Sequence, residues 1–134
     1  MTTPYQEKVI AAPLLNAENQ AYFDAAGEGR LLVKHCKACG SYHHYPRALC
    51  PFCHSDDVHW SESPGTGVIY TLTVTRRAGP IPYALAYVTL DKEGISMMTN
   101  IVDCDLDALR IGHKVRVVFR QSESGTAVPM FTPA

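Results

Sequence analysis

Four cysteines fall in two close pairs, Cys36-Lys-Ala-Cys39 and Cys50-Pro-Phe-Cys53, with ten residues between the pairs. A CxxC segment bends into a knuckle that turns both sulfurs to one point, and two knuckles complete a tetrahedron. Zn²⁺ favours that donor set, at Zn–S distances of about 2.3 Å. Gly40 follows the first pair and His54 the second; both residue types accept the positive φ that closes a knuckle better than most others do. With four thiolates bound, no position stays open for water or substrate, so the expected ion is structural rather than catalytic. An S₄ site also admits iron. His35, His43, His44 and His54 crowd the same segment and leave a Cys₃His set as an alternative; the other reading makes them polar ribbon residues around the thiolates. A dithiol redox couple fits less well, because neither pair sits in a βαβ context.

No catalytic constellation accompanies the cysteines. Cys104, the fifth thiol, lies in Asp103-Cys104-Asp105, and adjacent carboxylates suppress the thiolate that a nucleophile needs. GxSxG, HExxH and glycine-rich phosphate loops do not occur. Asp103, Asp105 and Asp107 lack an EF-hand pattern and read as a solvated acidic loop. From Arg30 to Ser55 the charged residues are Arg30, Lys34, Lys37 and Arg47, with no acid among them. Four thiolates around Zn²⁺ carry about −2, so these cations first offset the cluster. Arg76 and Arg77 form a second cationic point. Such clusters suit a phosphate, a nucleic-acid backbone or an acidic protein surface, and are more often solvated loops.

Composition bounds the rest. The 134 residues are 46% apolar and 19% charged, with a formal net charge of −1, which fits one globular domain with a small appendage and gives no bulk attraction to nucleic acid or anionic membrane. No apolar run approaches the roughly 20 residues of a membrane span, and the start MTTPYQEKVIAAPLL lacks the pattern of a secretory signal. A cytoplasmic protein with reduced thiols is the expectation.

These residues must be held by local structure. Residues 1–15, with Pro4 and Pro13, read as an extended arm. Asn16 reads as the N-cap of a helix over AENQAYFDAAGEG, with Glu18 in its first turn and Tyr22, Ala25 and Ala26 on one face. RLLVKH and VHWSE are strands entering and leaving the cysteine segment, and residues 31–60 are too short to fold without a staple; a bound ion supplies about 10–16 kcal/mol to such a module. In GVIYTLTVT, the alternation predicts Val68, Tyr70, Leu72 and Val74 on one face. YALAYVTL, ISMMTNIV, HKVRVVFRQ and TAVPMFTP follow as strands, LDALRIG as a brief helical corner. Five strands in about 70 residues make a small closed barrel, OB-like or SH3-like. The expected division is an arm and helix (1–30), a ribbon (31–60) and a barrel (61–134).

Taken in order, these segments resemble the DUF35 family. The likeness runs through GEGRLLVKHCKACG, HHYPRALCPFCHSDDVHW, SPGTGVIYTLTVTRR, IPYALAYVTLDKEG, MMTNIVDC, LRIGHKVRVVF and VPMF. His54 stands where a glycine is usual, and the loop from Arg77 to Pro82 is short for the family. The resemblance implies a mainly β protein: an N-terminal helix, a rubredoxin-like zinc ribbon with Cys36, Cys39, Cys50 and Cys53 as ligands, and a five-stranded OB-fold barrel. It implies a non-catalytic accessory subunit of a thiolase-fold enzyme, in a hetero-oligomer that makes or cleaves C–C bonds in acyl-CoA thioesters. Lys37, Arg47, Arg76 and Arg77 are then the candidate contacts to CoA phosphates. Two other readings stand beside it: a nucleic-acid-binding zinc-ribbon/OB module in which Tyr70, Tyr83 and Tyr87 stack on bases, and a stand-alone acyl-CoA-binding protein.

Overall fold

Asn16 begins the helical segment by tying a turn rather than capping the regular helix. Its side-chain oxygen accepts the N–H groups of Glu18 and Asn19 at 2.9 and 3.0 Å, and the Asn19 side chain accepts the Asn16 N–H at 2.8 Å. In the computed structural model, which describes residues 2–134, the regular helix α1 spans Gln20–Gly27 with Asn19 at its N-cap. Glu18 therefore precedes the helix, and its carboxylate accepts the Ala48 N–H at 2.6 Å instead. Tyr22, Phe23, Ala25 and Ala26 form the buried face of α1.

Strands β1 (Leu31–Cys36), β2 (Tyr42–His43) and β3 (Val58–Ser63) pair antiparallel in the order β2-β1-β3. Strands β4 (Thr66–Thr75), β5 (Tyr83–Leu90), β6 (Ser96–Ile101), β7 (Lys114–Gln121) and β8 (Ala127–Pro133) close a barrel in the order β4-β5-β6-β8-β7. A 3₁₀ turn at Leu106–Ala108 forms the helical corner. The barrel closes through a single parallel pairing, Ile101 with Phe131. Gly67 lets β4 pass close to β5: a Cβ there would lie 2.5 Å from the Thr89 carbonyl oxygen.

The alternation in β4 breaks at Tyr70, correcting the predicted face. Ile69 pairs with Val88 and Thr71 with Tyr87, so Tyr70 is an extra residue in a β-bulge. Ile69 is buried before the bulge, Leu72 and Val74 turn partly inward after it, and Tyr70 is left exposed.

Helix, ribbon and barrel share one core cluster among the described residues. Tyr22 and Phe23 of α1 and Leu31 and Val33 of β1 belong to the same cluster as Ile69, Val88, Leu90, Ile101 and Phe131 of the barrel. The arm lies along the barrel. Its Thr3 and Tyr5 exchange backbone hydrogen bonds with Leu106 and Cys104, and Ile10 accepts the Glu123 N–H at 2.9 Å. The acidic loop is thus a fastener, not a solvated segment. Asp105 accepts the Thr3 N–H at 2.8 Å, Asp107 holds the Thr3 hydroxyl and the Arg76 guanidinium, and Asp103 pairs with Arg120.

Candidate metal centre

Two equivalent turns build the site. The Gly40 N–H donates to the Cys36 carbonyl at 2.8 Å and the His54 N–H to the Cys50 carbonyl at 2.9 Å. Both closing residues have positive φ, 79° at Gly40 and 65° at His54, so the histidine replaces a glycine without changing the turn. The Cys36 and Cys50 N–H groups donate to Ser41 and Ser55, each at 2.9 Å, and the Lys37 N–H ties the first turn to Asp57 at the start of β3. Each knuckle supplies one buried sulfur, Cys36 or Cys50, and one exposed sulfur, Cys39 or Cys53.

All four sulfurs lie within 4.8 Å of one another. Cys36 and Cys53 are 3.6 Å apart, and Cys39 and Cys50 are 3.7 Å apart. A ZnS₄ tetrahedron with bonds of about 2.3 Å has edges of about 3.8 Å, whereas a disulfide needs about 2.05 Å. The donor set fits a tetrahedral ion. Hydrogen bonds from Ser41 lower the Cys39 thiol to about 6. The Cys53 thiol is raised to about 12: its bond with the Ser55 backbone lowers it, but burial and the neighbouring thiols outweigh that. The Phe52 N–H reaches the Cys50 sulfur at 3.4 Å.

The histidines have other work. His35 packs on Tyr42 with ring centroids 4.5 Å apart, and His54 closes the second knuckle. His44 lies 3.3 Å from the Tyr22 hydroxyl; burial, then like charge from His43 and Arg47, lowers it to about 4. His43 is buried at 3% exposure, with both ring nitrogens unpartnered, and burial lowers its pKa as well. Both rings are therefore neutral in the folded protein near pH 7. Tyr22, Phe23, His44 and Tyr45 form one wall of a cleft of about 400 Å³ whose other wall is Tyr87, Met97 and Met98 of the barrel and Val128 and Pro129 of β8. Sequence reasoning missed this junction, because periodicity says nothing about which barrel wall faces the helix.

The cations do not converge on a single point. The Lys34 ammonium sits 4.2 Å over the Trp60 ring and the Arg47 guanidinium 5.3 Å from the Tyr45 ring. Arg30 bridges Glu28 and Glu62. Lys37 and Arg47 belong to the ribbon; Arg76 and Arg77 lie in the segment that follows β4, where Arg76 pairs with Asp107. Cys104 is half-buried, and burial, then Asp105 and Asp103, raise its pKa, which keeps it a thiol.

A Cys₄ ribbon seated on a five-stranded OB-type barrel defines a zinc-ribbon/OB-fold protein. The family described as "ChsH2, rubredoxin-like zinc ribbon domain" matches residues 23–59, and "ChsH2, C-terminal OB-fold domain" matches residues 60–120. A "DUF35 domain-containing scaffold protein" of Methanocaldococcus jannaschii is 32% identical over 97 residues, covering 68% of each chain. The chain belongs to this DUF35, ChsH2-type family. It is also 34% identical over 126 residues to a "Probable enoyl-CoA hydratase alpha subunit" of Thermomonospora curvata, covering 91% of this chain but only 39% of that protein's length. A solved chain titled "Ltp2-ChsH2(DUF35) aldolase" superposes with a TM-score of 0.78 at 33% identity, covering 91% of this chain and 98% of the other.

Proposed function

We propose that this protein is a non-catalytic accessory subunit that binds a thiolase-fold enzyme acting on acyl-CoA thioesters. The observation that carries the reading is the likeness, over nearly the full length of both, to the DUF35 chain of an aldolase complex. The scaffold names of the archaeal relatives and the enoyl-CoA hydratase name of the actinobacterial one support the same setting. The chemistry of the chain agrees: the four cysteine sulfurs would fill every position of a tetrahedral ion, and the spare thiol is held protonated. The reactive groups then belong to the partner. This chain braces that partner or shapes the acyl-CoA entrance, with Lys37, Arg47, Arg76 and Arg77 as candidate phosphate contacts. Zinc is the proposed ion, because a closed S₄ tetrahedron in a ribbon suits it, and reduced thiols fit a cytoplasmic setting. Among the described residues no helix is long and apolar enough to cross a membrane.

A tagged pull-down from the native host, with partners identified by mass spectrometry, tests the reading. A stoichiometric thiolase-fold protein is the expected result; a chain that elutes alone from such a lysate refutes it.

A further inference from the structure

The outer wall of the barrel made by β4, β5 and β6 carries no charge. From Gly67 to Thr75, and throughout β5 and β6, there is no Asp, Glu, Lys, Arg or His. The neighbouring β7 carries Lys114, Arg116 and Arg120. A wall facing only water gains nothing from excluding charge, whereas the centre of a protein interface is depleted in charge and rich in Tyr and Met. Tyr70, Leu85, Tyr87 and Met98 are 64%, 38%, 43% and 53% exposed. Register places them together: Tyr87 is opposite both Thr71 and Met98, and Leu85 is two pairs further along, on the same face. The bulge that pushes Tyr70 out adds a second phenol to the same wall. Three strands about 4.8 Å apart, eight residues long at about 3.3 Å each, present roughly 370 Å² of planar face. On that face Tyr70, Leu85, Tyr87 and Met98 stand among the uncharged polar side chains Thr71, Thr73, Thr89, Ser96 and Asn100, and a face of that size can supply the centre of a standard interface of about 800 Å² per partner.

We propose that this wall, centred on Tyr87 and Met98, is where the partner enzyme subunit docks, through an uncharged apolar patch of its own. The identity of the partner rests on the functional reading above; the location rests on the charge pattern. Charge matching selects the occupant. A carboxylate, a lysine or a phosphate pressed onto Tyr87 and Met98 would lose its water with no counter-charge in the strands beneath it; the cation at this wall's edge, Lys8 of the arm, already sits 4.0 Å over the Tyr83 ring. The same fact disfavours single-stranded nucleic acid, which needs cations beside its stacking aromatics, although Tyr70 and Tyr87 have the right ring chemistry. The rival docking point, the ribbon tip with Leu49 and Phe52 exposed, is interleaved with Lys37, Arg47, His54, Asp56 and Asp57 and has no charge-free expanse. Tyr87 and Met98 also line the cleft of about 400 Å³ and a smaller groove of about 110 Å³ shared with Thr71, Thr73 and Leu85. A partner's apolar side chains therefore have recesses to fill on both flanks.

The test uses the thiolase-fold protein retained by the wild-type chain, expressed alone and titrated against full-length, zinc-loaded variants. Tyr87→Glu and Met98→Glu are expected to weaken binding at least about 100-fold, since each buries an unpaired carboxylate at the interface centre. Arg116→Glu on β7 and Phe52→Glu at the ribbon tip are expected to stay within about threefold of wild type. Circular dichroism and zinc content unchanged from wild type certify each fold, and either of the two wall variants suffices. Binding within threefold for both wall variants, or a loss confined to Phe52→Glu, overturns this inference while leaving the functional reading intact. A wild-type homodimer that Tyr87→Glu converts to monomer, with partner binding unaffected, also overturns it. If the wild-type chain retains no thiolase-fold protein at all, both fall.

Discussion

Replacing Cys50 with alanine should empty the metal centre and open the two knuckles within residues 36–57 while leaving the barrel folded. Cys50 is fully buried, and its loss leaves three thiolates that cannot close a tetrahedron. Between β1 and β3 only Tyr42 and His43 lie in a strand, and the two knuckles themselves are held by five backbone hydrogen bonds, Gly40 to Cys36, His54 to Cys50, Cys36 to Ser41, Cys50 to Ser55 and Lys37 to Asp57, beside the Ala48–Glu18 and Asn19–Tyr45 bonds that tie the segment to the helical region. Metal binding contributes about 10–16 kcal/mol to folding such a module. At about 1.4 kcal/mol per tenfold, even the low end amounts to about seven decades of protection. With metal bound, however, protection is capped by global unfolding, at about 5–15 kcal/mol. The observable change in amide exchange is therefore at least about 10³-fold for those five amides. Leu31 and Val33 share the barrel's core, so β1 should keep much of its protection, and Val88 and Leu90 all of theirs. Elemental analysis should find about one zinc per wild-type chain and none in the variant, and hydrogen-exchange mass spectrometry should find the loss confined to peptides within 36–57. A metal-free variant that still protects those five amides would refute the reasoning, as would a well-folded wild-type chain containing no metal.

Two further perturbations probe the barrel and its junction with the ribbon. Gly67→Ala places a methyl 2.5 Å from the Thr89 carbonyl oxygen and 2.8 Å from a Val88 methyl; overpacking of this kind costs about 1–3 kcal/mol, seen as a Tm several degrees lower, and an unchanged Tm would mean β4 and β5 are further apart than described. His44, held at about 4 against an ordinary 6.5, gives stability that is complete above pH 6.5 and fades as pH falls toward 4, because the unfolded chain takes up the proton first. Between pH 7.5 and 5.5 its share of the loss is about 1.4 kcal/mol; His44→Phe should remove that share from urea-melt data, and parallel pH profiles for the two proteins would contradict the assignment.

The metal centre was legible because its signal is local: four cysteines, their spacing and two turn residues lie within 19 consecutive positions, 36–54. The strands were legible for the same reason, since alternation is written residue by residue. What failed was non-local. Tyr70 follows the period of its strand, and only pairing against β5 shows that it is an inserted residue. Asp103, Asp105 and Asp107 looked solvated because their partners Thr3, Arg76 and Arg120 are distant in sequence or hidden among other cations. His43 and His44 drew attention as possible ligands by proximity to the cysteines, yet chain direction after β2 carries His44 toward Tyr22 instead. The helix start shifted because Asn16 and Asn19 both qualify as caps, and the reciprocal bonds between them form a turn before the helix proper.

The ribbon has no seam of its own to swing on. Leu31 and Val33 on its central strand, and Tyr22 and Phe23 on the helix beside it, are wedged into the same interior as Phe131 and Ile101, and close-packed interiors transmit strain instead of absorbing it. Torque applied at the knuckles thus passes to the barrel through α1, which packs on both β1 and β8. A body grasped at either end holds its two ends at a set angle, as a carpenter's square does, and a longer polypeptide could carry such a piece without having to stiffen the joint.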